Sequence, residues 1–201
     1  MEFDMTYADY ASLVRIIFGP PFALILYLTV KFPGKYPALE EHWPFLISLI
    51  MFLVLALTDA LDGRLAKKYG ETRFGAFLDP LADKIFLWSY SAVFVFTVAW
   101  NAILPLVLLF VLDVWSTVDR VKWYGLREKE IRANKGGKRK MFFHFLAIAL
   151  FLATLVFWPE SAKSEVAFWD TYTAPAGWIF LWSALGYSFL SCWNKHEQRK
   201  E

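Results

Sequence analysis

Residues 44–99 read PFLISLIMFLVLALTDALDGRLAKKYGETRFGAFLDPLADKIFLWSYSAVFVFTVA, and this stretch decides the fold. It contains two apolar runs, each near the roughly 20 residues that a helix needs to cross a bilayer. Both runs carry carboxylates: Asp59 and Asp62 close to the end of the first, Asp79 and Asp83 close to the start of the second. A peptide group left unpaired in lipid costs several kcal/mol, so only helices or a closed barrel can span. The runs lack the period-two alternation of barrel strands, and both are therefore predicted helices.

Working outward, the same kind of run recurs along the chain. Six spans are expected, at residues 13–31, 44–62, 76–99, 101–118, 141–158 and 175–193. Of the 201 residues, 58% are hydrophobic and 19% aromatic, and the mean hydropathy is +0.40. An ordinary soluble domain is only about 45–50% apolar. The expected fold class is thus an all-α integral membrane protein, a six-transmembrane-helix bundle forming one domain over residues 1–201. Phe3 to Tyr10, with Phe3, Met5, Tyr7 and Tyr10 as its apolar residues, is too polar to span and reads as a short N-terminal interfacial helix. Trp43, Trp100, Trp158, Trp178 and Trp193 stand at the ends of apolar runs, as interfacial anchors do. The N-terminus shows no basic n-region ahead of a cleavable apolar segment, so the first run is expected to remain as a span.

Charge sets the orientation. Arg64, Lys67, Lys68 and Arg73 lie between spans two and three, nine Lys and Arg lie between Arg120 and Lys140, and Lys195, Arg199 and Lys200 lie in the tail. The opposite side holds only Lys31, Lys35 and Lys163. The positive-inside rule then predicts cytoplasmic termini and a multi-pass topology with an even number of spans. The net charge of +2 is too small to imply nucleic acid as a partner. One cysteine, Cys192, excludes an intrachain disulfide framework and a thiolate metal cage.

The stretch from Thr58 to Lys84 carries the chemistry. Insertion scales charge about 2.5–3.5 kcal/mol for an Asp at a helix centre, so four such residues imply a polar cavity with a function. Asp59 and Asp62 are three apart, and Asp79 and Asp83 four apart, which puts each pair on one helix face with Cβ atoms about 5–6 Å apart. A connection of about ten residues allows an antiparallel hairpin that brings the pairs face to face. Carboxylates so close repel unless they keep protons or admit cations. Oxygen-only ligation points to Mg²⁺ or Mn²⁺, two of which, about 3.5–4 Å apart, could clamp a diphosphate. Pairing with Lys84, Lys67 or Arg64 is the plainer alternative, and a divalent-cation transporter is another, because intramembrane carboxylates also mark ion paths. His144, in an apolar run with no second ligand at metal spacing, reads as a packing histidine.

These residues resemble a known signature, DxxDGxxAR followed by GxxxDxxxD, of the CDP-alcohol phosphotransferase (phosphatidyltransferase) family. The match runs through Asp59, Asp62, Gly63, Ala66, Lys67, Gly75, Asp79 and Asp83. Lys67 stands where the family has arginine, and seven residues rather than eight separate it from Gly75. The resemblance implies a reaction in which an alcohol hydroxyl attacks the β-phosphorus of CDP-diacylglycerol and CMP leaves. It implies two ions on Asp59, Asp62, Asp79 and Asp83, with Asp83 also taking the hydroxyl proton. It places the cytidine diphosphate against Gly63, Ala66, Lys67 and Gly75, with Ser12 and Arg15 in a first-helix pattern, Ser12 toward the nucleotide and Arg15 toward an acceptor phosphate. GAFLDPLADK, residues 75–84, and GKRKM, residues 137–141, are similar to the phosphatidylglycerophosphate synthase and CMP-forming cardiolipin synthase branch. That likeness implies Arg120, Lys138 and Lys140 at the phosphate of the acceptor, glycerol 3-phosphate first, with phosphatidylglycerol, inositol phosphate or serine as the alternatives. Asp113 lies seven residues before Arg120, where that branch carries another arginine. A juxtamembrane run this basic also binds anionic headgroups, at about 1 kcal/mol per charge. A homodimer, membrane lipids around it and a bacterial inner-membrane location complete the expectation. A family member that has lost its activity and serves as a scaffold stays open beside it.

Overall fold

The structure is a computed structural model that describes residues 7–32, 43–69, 73–127 and 135–197. Of residues 7–8, 59–69, 73–77, 79, 119–127, 135–137 and 194–197 it describes the backbone alone. Every described regular element is helical: α1 Tyr7–Lys31, α2 Trp43–Tyr69, α3 Arg73–Thr97, α4 Ile103–Arg127, α5 Lys135–Phe157, α6 Glu165–Trp169 and α7 Thr173–Glu197. Short 3-10 turns at Trp100–Ala102 and Pro159–Lys163 lead into α4 and α6. Among the described residues, three helical segments are long and apolar enough to cross a membrane: Asp9–Lys31, Trp100–Val118 and Lys138–Phe157.

The helices overrun their predicted ends on the basic side. α2 continues to Tyr69 and α3 starts at Arg73, so three residues, not about ten, separate them. The reason is propensity: Leu65, Ala66, Lys67 and Lys68 are strong helix formers, and once outside lipid they simply continue the helix. Lys- and Arg-rich α4 and α5 extend in the same way, to Arg127 and from Lys135. Tyr7 to Tyr10 belongs to the first turn of α1 itself, while Phe3 and Met5 of the expected interfacial helix lie outside the described residues. A 25-residue helix is about 37 Å long, more than the roughly 30 Å of hydrocarbon, so these rods protrude.

The bundle is apolar outside and has an apolar core, with a set of polar and charged side chains buried inside it. Asp9, Ser12, Arg15, Asp113, Lys140 and His144 are buried. Leu104, Val107, Phe110, Val111, Val114 and Trp115 on α4 are exposed, as a lipid-facing surface requires. Trp43, Trp100, Trp158 and Trp193 are exposed at or near helix ends, as the anchor reading expects, whereas Trp178 is half-buried within α7 between Trp169 and Trp182. Serine and threonine hydroxyls turn back onto their own helices: Ser89 donates to the Ile85 carbonyl at 2.6 Å and Thr97 to Val93 at 2.6 Å. Such back-bonding satisfies a hydroxyl that has no water to meet.

Packing is extensive along two seams, α5 with α7 and α1 with α3. Phe52 of α2 stacks on Phe86 of α3 and on Phe145 of α5, with ring centroids 4.9 and 4.8 Å apart, and so ties three helices. The Asn101 amide donates to Glu165 Oε1 at 2.9 Å, which holds the α3–α4 turn against the start of α6. Both connections therefore lie at one end of the bundle, as an up-and-down path demands.

Small residues set the closest approaches. A Cβ on Gly19 would lie 2.8 Å from Phe86 Cδ2, and one on Gly177 would lie 2.6 Å from Phe151 Cε1 and 3.1 Å from the Ala147 carbonyl oxygen. Phe151 is fully buried and the carbonyl is backbone, so neither neighbour can yield cheaply. Gly177→Leu is therefore expected to push α7 off α5 and destabilise the fold by at least about 1–3 kcal/mol, read as a lower melting temperature in detergent. An unchanged melting temperature would show that this seam has slack.

Candidate active site across α1, α3, α4 and α5

Asp59 and Asp62 ride on α2, and Asp79 and Asp83 on α3, so each predicted pair keeps its three- or four-residue helical spacing. Pro80 sits inside α3 rather than at its start. The side chains of Asp59, Asp62, Asp79, Gly63, Ala66, Lys67, Gly75 and Arg120 lie outside the described residues, and Asp83 is the member of the quartet whose contacts are described. Among the described residues there is no group of three or more potential metal ligands.

Asp83 is 27% exposed, and its Oδ1 accepts from Arg15 Nη1 of α1. The guanidinium is itself 1% exposed and reaches Ser12 Oγ through Nη2 at 3.1 Å. Ser12, Arg15 and Asp83, three of the predicted site residues, therefore come together although 68 positions of sequence separate the last two. The charged partner described on Asp83 is Arg15, and the side chains of Lys67 and Arg64 lie outside the described residues. A cation already rests on the one described carboxylate. A carboxylate oxygen that takes a cation is a hard donor, the kind that Mg²⁺ or Mn²⁺ would need at Asp83.

One residue further along α3, the polar contacts continue. Lys84 Nζ approaches Thr117 Oγ1 and, at 3.5 Å, the Asp113 carbonyl oxygen, both on α4. Thr117 Oγ1 donates to that same carbonyl at 2.7 Å. The Asp113 carboxylate accepts from Lys140 Nζ of α5, a pair whose side chains are 4% and 10% exposed. One turn beyond Lys140, His144 Nε2 meets Ser91 Oγ at 2.9 Å and its ring stands edge-on to Trp88 at 5.3 Å. Ser91 donates its only proton to the Leu87 carbonyl at 2.9 Å, so its oxygen must accept from Nε2–H. That assigns the tautomer and makes His144 a packing histidine that joins α5 to α3.

A belt of contacts thus crosses from α1 through α3 and α4 to α5. Of the predicted acceptor ligands, Lys140 is in this belt, paired with Asp113, whereas Lys138 is exposed. Between them Arg139 lies over the Tyr187 ring of α7 at 5.8 Å. Lys84 and Thr117 were not singled out as site residues from sequence. The available signals were a lysine inside an apolar run and a hydroxyl four residues after Asp113.

An all-helical bundle with an apolar exterior and a belt of buried charge defines an integral membrane protein that works on polar groups at a lipid boundary. Residues 5–190 match the model of the CDP-alcohol phosphatidyltransferase family, and the chain belongs to that family. It is 32% identical over 181 residues to the "CDP-diacylglycerol--glycerol-3-phosphate 3-phosphatidyltransferase" of Escherichia coli (strain K12), covering 88% of this chain and 89% of the relative. It is 29% identical over 181 residues, with the same coverage, to the protein of that name in Salmonella typhimurium. It is also 30% identical over 158 residues to a "Probable phosphatidylglycerophosphate synthase" of Mycobacterium tuberculosis, covering 74% of this chain and 66% of the relative. The chain is accordingly a phosphatidyltransferase of phospholipid biosynthesis, a membrane enzyme rather than a cation transporter.

Proposed function

We propose that this enzyme makes phosphatidylglycerophosphate from CDP-diacylglycerol and sn-glycerol 3-phosphate, with Mg²⁺ or Mn²⁺ on the four aspartates. The observation that carries the reading is the adjacency of Asp83 and the Lys84–Asp113–Lys140 cluster. A carboxylate able to take a proton, Asp83, and a cation able to face a phosphate, Lys84, are consecutive residues of α3, and Asp113 of α4 joins Lys84 to a second cation, Lys140 of α5.

In this reading the acceptor hydroxyl oxygen bonds to the β-phosphorus while the bond from that phosphorus to the bridging oxygen of CMP breaks. CMP leaves with the bridging oxygen, and Asp83 takes the hydroxyl proton. Bound divalent ions supply charge neutralisation to the diphosphate and to the departing CMP. Asp59, Asp62, Asp79 and Asp83 hold them. Gly63, Ala66, Lys67 and Gly75 flank the cytidine diphosphate with Ser12, and Arg15, Arg120, Lys138 and Lys140 face the acceptor phosphate. The Arg15–Asp83 contact gives Arg15 a second job, holding the base in place until the substrates arrive. The unequal distribution of Lys and Arg supports the site and both termini on the cytoplasmic side. Six spans, from the apolar runs, and a bacterial inner membrane, from the bacterial relatives, are part of the same proposal. A homodimer is part of the proposal by family likeness.

Purified protein with CDP-diacylglycerol, Mg²⁺ and a panel of alcohols tests the reading. CMP release with glycerol 3-phosphate, and its loss on chelation, is expected. Release with glycerol 3-phosphate absent from the productive acceptors would overturn the acceptor, and release undiminished by chelator would overturn the metal.

A further inference from the structure

Asp113 is the residue the reaction above leaves without a task, yet it touches both lysines of the cluster. Its carboxylate takes Lys140 Nζ, and its main-chain carbonyl takes Thr117 Oγ1 at 2.7 Å and Lys84 Nζ at 3.5 Å. It is 3% exposed and Lys140 8% exposed, so the ion pair is buried. A buried pair of this kind adds little to stability over two well-packed apolar side chains, because desolvation offsets attraction. Tying α4 to α5 would not by itself require charge. What the pair does supply is direction. A lysine ammonium sits on a flexible four-carbon stem and has no fixed position unless something holds it.

We propose that Asp113 is a positioning residue for acceptor recognition: it holds the ammonium groups of Lys140 and Lys84 where the phosphate monoester of a small polyol meets them. The proposal rests on the acceptor reading above and deepens it. Lys84 directly follows Asp83 on α3, its ammonium reaching α4 while the Asp83 carboxylate reaches α1, so the cluster and the base lie at one level of the bundle. Preorganised cations need no rearrangement when the acceptor arrives, and the gain appears in acceptor affinity rather than in the chemical step.

The test begins with CMP release by the wild-type enzyme with glycerol 3-phosphate; its absence overturns the acceptor reading itself. Given normal wild-type turnover, Asp113→Asn is expected to raise the KM for glycerol 3-phosphate about tenfold, with kcat and the KM for CDP-diacylglycerol within about twofold of wild type. Asp113→Glu, which keeps the charge, is expected to recover part of that loss. An unchanged or lower acceptor KM in Asp113→Asn, or a loss confined to kcat, overturns the role. Should Asp113→Asn fold poorly, the double variant Asp113→Leu/Lys140→Met keeps the contact packed and removes the charges. An acceptor KM raised further there than in Lys140→Met alone supports the proposal, and a value no higher than in Lys140→Met shows that the pair is only a clamp between helices.

Discussion

Asp83→Asn is expected to abolish phosphatidyl transfer, lowering kcat by about 10³-fold or more. A positioned general base contributes about 10²–10⁴-fold, and an amide can neither accept the hydroxyl proton nor carry the charge that a divalent ion needs. The substitution suits the question because it spares the architecture. Asparagine keeps a carbonyl oxygen where Oδ1 now accepts from Arg15 Nη1, so α1 and α3 stay joined by a hydrogen bond. What is lost is the negative charge opposite a guanidinium that is 1% exposed, and some stability should go with it. Activity must therefore be measured on the monodisperse folded fraction, as CMP released per enzyme molecule at saturating substrates. Turnover within tenfold of wild type in that fraction would remove Asp83 from the chemistry.

That the sequence could nominate Asp83 at all follows from burial physics, because charge inside an apolar run is expensive and so marks function. The same argument placed the helices, since runs of this length in lipid have one solution for their peptide groups. It failed at their ends. Arg64, Lys67 and Lys68 end the apolar run, but Leu65 to Lys68 are good helix formers, so hydropathy stops where the helix does not. Contacts between elements were also hidden. Arg15 and Asp83 are 68 positions apart, Lys140 and Asp113 27 apart, and Lys84 and Asp113 29 apart, so no periodicity connects them. Each residue was conspicuous alone, as a charge in an apolar helix. Their partners depend on which helices are neighbours, which a single sequence does not encode locally. Asp113 shows the consequence: set against the family pattern it looks like a defect, and in the fold it is the anion that organises Lys140.

Arg15→Leu should have the second large effect, this time on stability. The substitution removes the counter-charge from Asp83 and the bond to Ser12 together. Breaking one half of a buried ion pair costs about 3–5 kcal/mol, and the 27% exposure of Asp83 puts this pair near the lower figure. Arg15→Lys is expected to recover only part, because a single ammonium cannot present the planar fork that reaches both partners. The thermal midpoint in detergent measures both. Magnesium adds a second readout that does not depend on turnover. In the wild-type protein a cation approaching Asp83 meets a guanidinium already on the same oxygen, whereas in Arg15→Leu that competitor is gone. A ligand present at ten times its Kd stabilises the folded state by about 1.4 kcal/mol, so tighter binding appears as a larger rise in melting temperature at equal Mg²⁺. The rise should be greater for Arg15→Leu than for wild type, and smaller again when Asp83→Asn is added. Equal rises in all three proteins would mean that Asp83 holds no metal, and its part in the reaction would then rest on proton transfer alone.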